Sequence, residues 1–380
     1  MNEKHDWLVS SNVTSYRLES ELVDELLRRE ERTEHIYVED PRDISLTDEG
    51  KTIAGGFRLS EKAFSMLCKF LLNGLYPVCL GLSGIVQRAR DSPDIFSWRE
   101  MLLIYNTVVR RRYSMLIGYR LVVDLDTKVV CGLLGKNTKV LTNMRAWEIL
   151  KDAVEDTDKV GFREAQLFDR RMVLYLSEDS PAFQTQVNDR VEDFYAGLRL
   201  VNSDGGDAAV RGSAILIRDL NNTYLGDRFL KRTSHAGRDF RQNLNKMMRN
   251  VNERKEVLKT YDSLFESLNA TPLPIPGPGD ARSAFVRRLV NRMVHTHVRR
   301  QLAQRIASVL VSRVMHSTEE DRFLIPPSVR QLSASSMLDL VFAASWVASQ
   351  DNVCASDREY AEHWALYAAK NAELFVESTE

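Results

Sequence analysis

Cysteine is scarce in this chain of 380 residues: Cys68, Cys79, Cys131 and Cys354 stand far apart, with no Cys-x-x-Cys spacing. That argues against a disulfide framework or a structural zinc site, and it predicts a protein of the reducing cytoplasm. Long apolar runs are missing too. The richest, CKFLLNGLYPVCLGL from Cys68, is interrupted by Lys69, Asn73 and Pro77 and falls short of the ~20 residues a membrane span needs. The opening MNEKHDWLVSSN is polar and acidic, unlike a signal peptide. Catalytic signatures are absent as well: no Gly-x-Ser-x-Gly and no His-Glu-x-x-His occurs. GLLGKNTK (132–139) imitates a phosphate loop, but Val130 stands at the required first glycine and Asn137 follows Lys136. His295 and His297 lie two apart, on different faces of a helix, and make no metal pair. No catalytic residue, metal or cofactor is expected.

The longest absence is of acid. Residues 281–316 hold 8 Arg and not one Asp or Glu. Residues 228–259 carry 10 Lys/Arg against 3 Asp/Glu, whereas residues 1–50 carry 14 Asp/Glu against 6 Lys/Arg. A chain of formal net charge −1 is therefore strongly polarised along its length. Such asymmetry fits nucleic-acid contact, or an acidic segment docking on a basic one.

Periodicity organises the rest. Residues 1–59 read as an acidic N-terminal arm with one helix, Leu18 to Glu34. A helical region follows from Ser60 to about Arg112, with Leu67, Phe70, Leu71 and Leu75 at helical spacing. Two β-rich runs flank Asp126-Thr127-Lys128 as a hairpin, and Thr142 or Asn143 caps the helix after it. Strands Gly161–Phe168 and Arg171–Leu176 join through Asp169-Arg170, and two more flank Asp204-Gly205-Gly206-Asp207. A long basic helix is predicted from about Ser234 to Leu268. TPLPIPGPGD (271–280) reads as a linker, and 281–380 as a helical C-terminal domain. The predicted fold is α+β: an antiparallel sheet with a long basic helix in a 60–270 core, plus the C-terminal helices.

Three segments carry a family likeness. VVCGLLGKNTKVLTNMRAWEIL (129–150), FYAGLRLVNSDGGDAAVRGSAILIRDLNNTYL (194–225) and KRTSHAGRDFRQNLNKM (231–247) follow one another in the order of corresponding blocks in a phage/plasmid-like family catalogued as a domain of unknown function. Residues 105–268 resemble that family, although Ser203 runs directly into Asp204 where the family has a histidine. The resemblance implies a part in replication, recombination or host takeover. Sheet followed by basic helix is also similar in architecture to phage single-strand annealing proteins, which assemble as rings.

The basic residues are the candidates for function. Arg110, Arg111 and Arg112 precede Tyr113, an aromatic that could stack on a base. Lys136 and Lys139 follow a strand; Arg232, Arg238, Arg241, Lys246 and Arg249 belong to the predicted basic helix. In 281–296, Val286, Leu289, Val290, Met293 and Val294 share one helical face, with Arg288, Arg292, His295 and Arg299 opposite. The apolar stripe shifts after His297, so the helix should turn there. Arginine without lysine suits bidentate binding of phosphate or carboxylate. The leading expectation is a non-enzymatic nucleic-acid binder, single-stranded DNA favoured, forming a homo-oligomer with no membrane contact. The alternative is an assembly protein whose acidic arm and basic helices join subunits. A third reading pairs Asp124 and Asp126, two apart on a strand, as a metal site for nucleic-acid cleavage, against the plainer one of a hairpin with Asp at its turn.

Overall fold

The computed structural model describes residues 8–9, 13–47, 52–79, 98–138, 141–155, 160–187, 190–206, 210–218, 223–226, 231–233, 240–273, 275–276, 279–312, 336–350, 353 and 355–376. The α+β class is as expected, with two sheets where one was predicted.

The first sheet is ordered β1-β5-β7-β6-β3, with β4 (Thr52–Ile53) beside β5. Its core is the hairpin of β6 (Arg120–Asp124) and β7 (Val129–Leu134), turning at Asp126-Thr127-Lys128 as the sequence indicates. The outer strands come from the N-terminal segment. β3 (Thr33–Tyr37) pairs antiparallel with β6; β5 (Phe57–Ser60) pairs parallel with β7, and β1 (Leu8–Val9) parallel with β5. Two helices, α2 (Glu61–Leu71) and α3 (Trp98–Arg112), supply Phe64, Leu67, Tyr105 and Val109 to an apolar cluster against this sheet. Residues 64, 67, 68 and 71 form the buried stripe of α2, which turns Phe70 outward. Phe70 is 41% exposed and not part of the core face assigned to it from spacing.

The second sheet is ordered β13-β12-β11-β9-β8-β2. Its central strands are β8 (Val160–Phe168), β9 (Arg171–Glu178), β11 (Arg190–Ser203) and β12 (Val210–Arg218). β10 (Phe183–Val187) pairs with β11; β13 (Thr223–Gly226) and β14 (Lys231–Thr233) pair with β12. Alternation along β11 sends Phe194, Ala196, Leu198 and Leu200 to one face and Arg199 and Val201 to the other. Both faces are covered. α4 (Asn143–Glu155), capped by the Thr142 hydroxyl accepting from the Arg145 amide at 3.1 Å, joins the first face.

Two domain expectations need correcting. The 1–59 segment is no arm: β2 (Val13–Tyr16) pairs with β8, α1 (Glu19–Glu31) buries Leu22 and Leu26 in the large core, and β3 lies in the first sheet. Nor do residues 271–280 separate a domain. Thr271 accepts the Met337 amide at 3.0 Å, Pro272 bridges to Ser336, and Leu273 is buried. Beyond them α7 (Asp280–His295), α8 (Arg300–Ser312), α9 (Met337–Ser349) and α10 (Ala355–Lys370) share one apolar cluster with the second sheet. Burial of each large aliphatic side chain there contributes about 1.5–3 kcal/mol, ample to hold the helices on the sheet. The long basic helix is two, α5 (Phe240–Leu258) and α6 (Asp262–Ala270), interrupted near Tyr261. The predicted turn after α7 is present, with His297 at φ 69.

The sheets meet around Asn143, Arg170, Asn202 and Gly205. Asn202 donates to Asn143 Oδ1 at 2.8 Å and to the Leu141 carbonyl at 3.2 Å, while Asn143 donates to the Arg170 carbonyl at 3.0 Å. The Gly205 carbonyl accepts from the Leu133 amide at 3.2 Å. A Cβ on Gly132 would overlap that carbonyl, so only glycine admits the approach. NSDGG is thus a turn, as read, and also the tenon that seats the second sheet on β7.

Candidate nucleic-acid interface

The arginines and lysines divide into two populations. One is buried and structural. Arg199, on β11, pairs with Glu362 of α10, both with almost no exposure. Arg211 and Arg171 pair with Glu359 at 3.0 and 3.6 Å. Arg218 pairs with Glu192 and lies 3.9 Å from the Phe342 ring centroid. Lys255 and Lys259 close on Glu178 at 2.6 and 2.9 Å. Burial works to raise the Glu178 pKa, but hydrogen bonds and charge from the two ammonium groups outweigh it and the net shift is downward. Arg282, first of the acid-free run, is buried and donates to the Pro276 carbonyl at 2.9 Å. Arg299 is exposed but pairs with Asp357 at 3.0 Å.

The other population is exposed and has no carboxylate within ion-pair reach among the described residues. It includes Arg110, Arg111 and Arg112 in the last turn of α3, Lys136 after β7, Lys246 and Arg249 on α5, and Arg287 and Arg288 on α7. Arg292 is half-buried on α7, whose inward face is Phe285, Leu289, Val290 and Met293. The three arginines on α3 also complement the carbonyl end of that helix dipole, worth ~0.3–1 kcal/mol each. Arg232 lies in β14 rather than in the basic helix. Lys139 and Arg238 lie outside the described residues, as do the side chains of Arg232 and Arg241. Among the described candidates, those of α3 and Lys136 belong to the first sheet and those of α5 and α7 to the second.

Around α3 the geometry is continuous. α3 passes into a 3-10 turn, Tyr113–Leu116, and then Gly118 (φ 79), whose amide donates to the Val38 carbonyl at 3.0 Å. The Lys136 side chain lies across Gly118; a Cβ there would meet Lys136 Cβ at 3.5 Å. Tyr119 returns the backbone contact, accepting from the Val38 amide at 2.9 Å, and its ring takes Phe70 edge-on at 5.3 Å. Tyr37 pairs across the strands with Arg120 and is 56% exposed. Tyr113, expected to stack on a base, instead leans half-buried on the apolar cluster. Tyr37 and Phe70 present the rings to solvent that Tyr113 does not. For Phe70 the signal was available, since it falls off the 64-67-68-71 stripe; for Tyr37, at the end of a five-residue strand, none was.

No protein-family model matches this chain, and neither does any curated protein or solved structure. The site must be read from its own residues. Among the described residues no group of three or more His, Cys, Asp or Glu is placed to hold a metal ion, and no helix is long and apolar enough to cross a membrane. Asp124 is engaged: Arg32 Nε lies 2.9 Å from Oδ2, and the Thr127 amide donates to Oδ1 at 3.0 Å. Asp126 is exposed in the turn. Asp124 thus serves the hairpin and a strand–helix tie, the plainer of the two readings of this pair.

Proposed function

We propose that this chain is a non-catalytic nucleic-acid-binding protein. One observation carries the reading: Arg110, Arg111 and Arg112 stand consecutively on the surface with no carboxylate partner among the described residues, and Lys136, after β7 of the sheet that α3 packs on, is exposed as well. Many other arginines meet acids, whereas these three stand in a row without one among the described residues. Four phosphate contacts would supply salt-sensitive affinity and orientation without sequence choice. The acidic segment does not compete for them in the pairs it makes. Glu25 binds Arg28, Arg29 and Arg32, Glu19 binds Lys151 and Asp40 binds Arg42. The likeness of residues 105–268 to the phage/plasmid-like family supports a setting in replication or recombination.

The test is a salt titration of oligonucleotide binding. For single strands log affinity falls by about 0.7 per phosphate contact for each tenfold rise in salt. Replacing Arg110, Arg111 and Arg112 together by glutamine should lower that slope by about 2. No binding by the unaltered protein at 50 mM salt would refute the proposal.

A further inference from the structure

We propose that Cys68 and Cys79 form a dithiol site that hydrogen peroxide closes to a disulfide, in the core that α3 packs on. The site is independent of the nucleic-acid reading.

The fold brings together two cysteines that no sequence motif links. Cys68 lies on the buried stripe of α2, and both it and Cys79 are fully enclosed in the apolar cluster of the first sheet. The chain turns after α2: the Leu75 amide donates to the Leu72 carbonyl at 3.0 Å, with Gly74 at φ 90. Helical residues 75–79 then run back along α2. The Tyr76 hydroxyl donates to Glu61 Oε1 at 2.9 Å, and its ring centroid lies 5.9 Å from that of Phe64. Those contacts reach the first turn of α2 and bring Cys79 alongside Cys68, where the two thiols hydrogen-bond to each other. Phe64 packs in turn on Tyr105 of α3, ring centroids 5.4 Å apart. Cys131, in β7, is engaged elsewhere, its thiol donating to the Val129 carbonyl at 3.5 Å.

The hydrogen bond makes the two sulfurs unequal. Cys68 donates its S–H to Cys79, which lowers the Cys79 pKa against the opposing effect of burial. The same bond, then burial and the Cys79 charge, raise that of Cys68. Cys79 is the sulfur that ionises first and attacks, and Cys68 keeps its proton for the second step. With no exposed surface, the pair admits only a small oxidant. The Cys79 thiolate attacks one peroxide oxygen, the O–O bond breaks, and the departing hydroxide is protonated to water. The resulting sulfenic acid meets the Cys68 thiol. There the S–S bond forms, and the hydroxyl leaves with the Cys68 proton as a second water. Two thiols lose two electrons, and one peroxide is reduced to two waters.

The experiment treats the folded full chain with hydrogen peroxide, removes the excess with catalase, and blocks free thiols with N-ethylmaleimide in urea before mass spectrometry. Two of the four cysteines should escape the label, and trypsin, which cuts after Lys69, should leave 63–69 joined to 70–88. Dithiothreitol should restore all four labels. Closing so short a ring should raise the urea midpoint by about 1 M, reversibly. Cys68→Ser should prevent the cross-link and leave a Cys79 sulfenic acid that dimedone captures, whereas Cys131→Ser should cross-link as the unaltered chain does. The peptide mapping uses the unaltered chain, so it decides the matter even where a variant fails to fold. Four labelled cysteines, after a dose that oxidises free cysteine completely, would overturn the proposal. So would a cross-link that joins Cys131 or Cys354 in place of this pair.

Discussion

Glu362→Gln should be among the most damaging single changes in this protein, although the residue touches no solvent. Its carboxylate neutralises Arg199, and their side chains are 1% and 0% exposed. It also accepts from the Tyr175 hydroxyl at 3.2 Å, while Arg199 Nε donates to Ser213 Oγ at 3.1 Å. Burial already opposes the Arg199 charge and lowers its pKa from the ordinary value. Removing the counter-charge leaves a buried guanidinium, at a cost of about 3–5 kcal/mol. Replacing both partners, Arg199→Met with Glu362→Leu, removes the desolvation penalty along with the attraction. The orphaned Tyr175 and Ser213 hydroxyls then cost about 1 kcal/mol each, so the double variant should fall within ~2 kcal/mol of the original. Urea unfolding followed by circular dichroism reads both. With a slope of about 3 kcal/mol/M, a 4 kcal/mol loss shifts the midpoint by ~1.3 M. A shift below ~0.3 M for Glu362→Gln, or a double variant that falls by the sum of the two singles, would refute the reasoning.

Three further outcomes follow from the packing. Gly132→Ala drives a methyl into the Gly205 backbone and should cost about 1–3 kcal/mol, measured by the same unfolding. For Asp124, burial tends to raise the pKa, but the Thr127 amide and hydroxyl and the Arg32 and Arg170 charges outweigh it, so the folded value is depressed. Its stabilisation is present above the unfolded value of about 3.9 and is lost as pH falls through the folded one. Asp124→Asn should therefore cost ~1–2 kcal/mol near pH 7 and flatten the decline in stability below pH 4. Finally, Arg299 already has Asp357 as partner, so Arg299→Gln should alter stability by less than ~1 kcal/mol and leave the salt slope of oligonucleotide binding unchanged.

Local features were legible in the residues. The Asp126-Thr127-Lys128 hairpin, the Thr142 cap, the Asp169-Arg170 turn and the corner after His297 depend on side chains within a few positions of each other. The pairings that assemble the chain do not. Val13 lies opposite Phe168 and Thr33 opposite Asp124, so strands in an acidic segment resembled an arm. Charge counts misled for a related reason. Glu25 is surrounded by three arginines of its own helix and its C-cap, so a net negative total conceals local neutrality. Proline and glycine in 271–280 indicated a linker, but the Thr271 carbonyl and Leu273 are claimed by the helices beyond. At the candidate site, the run of three arginines is visible at once. Which aromatics stay outside, Tyr37 and Phe70 among them, becomes visible only in the fold.

The Arg199–Glu362 contact spans 163 residues and the Arg211–Glu359 contact 148. During synthesis at about 5–20 residues per second, the strands would emerge roughly ten to thirty seconds before the carboxylates that neutralise them. For that interval one face of the second sheet carries arginines with no α10 to meet them, and it is available to any polyanion or chaperone nearby. Damage to α10 should therefore register first as lost yield of folded protein, before any assay of binding has material to work on.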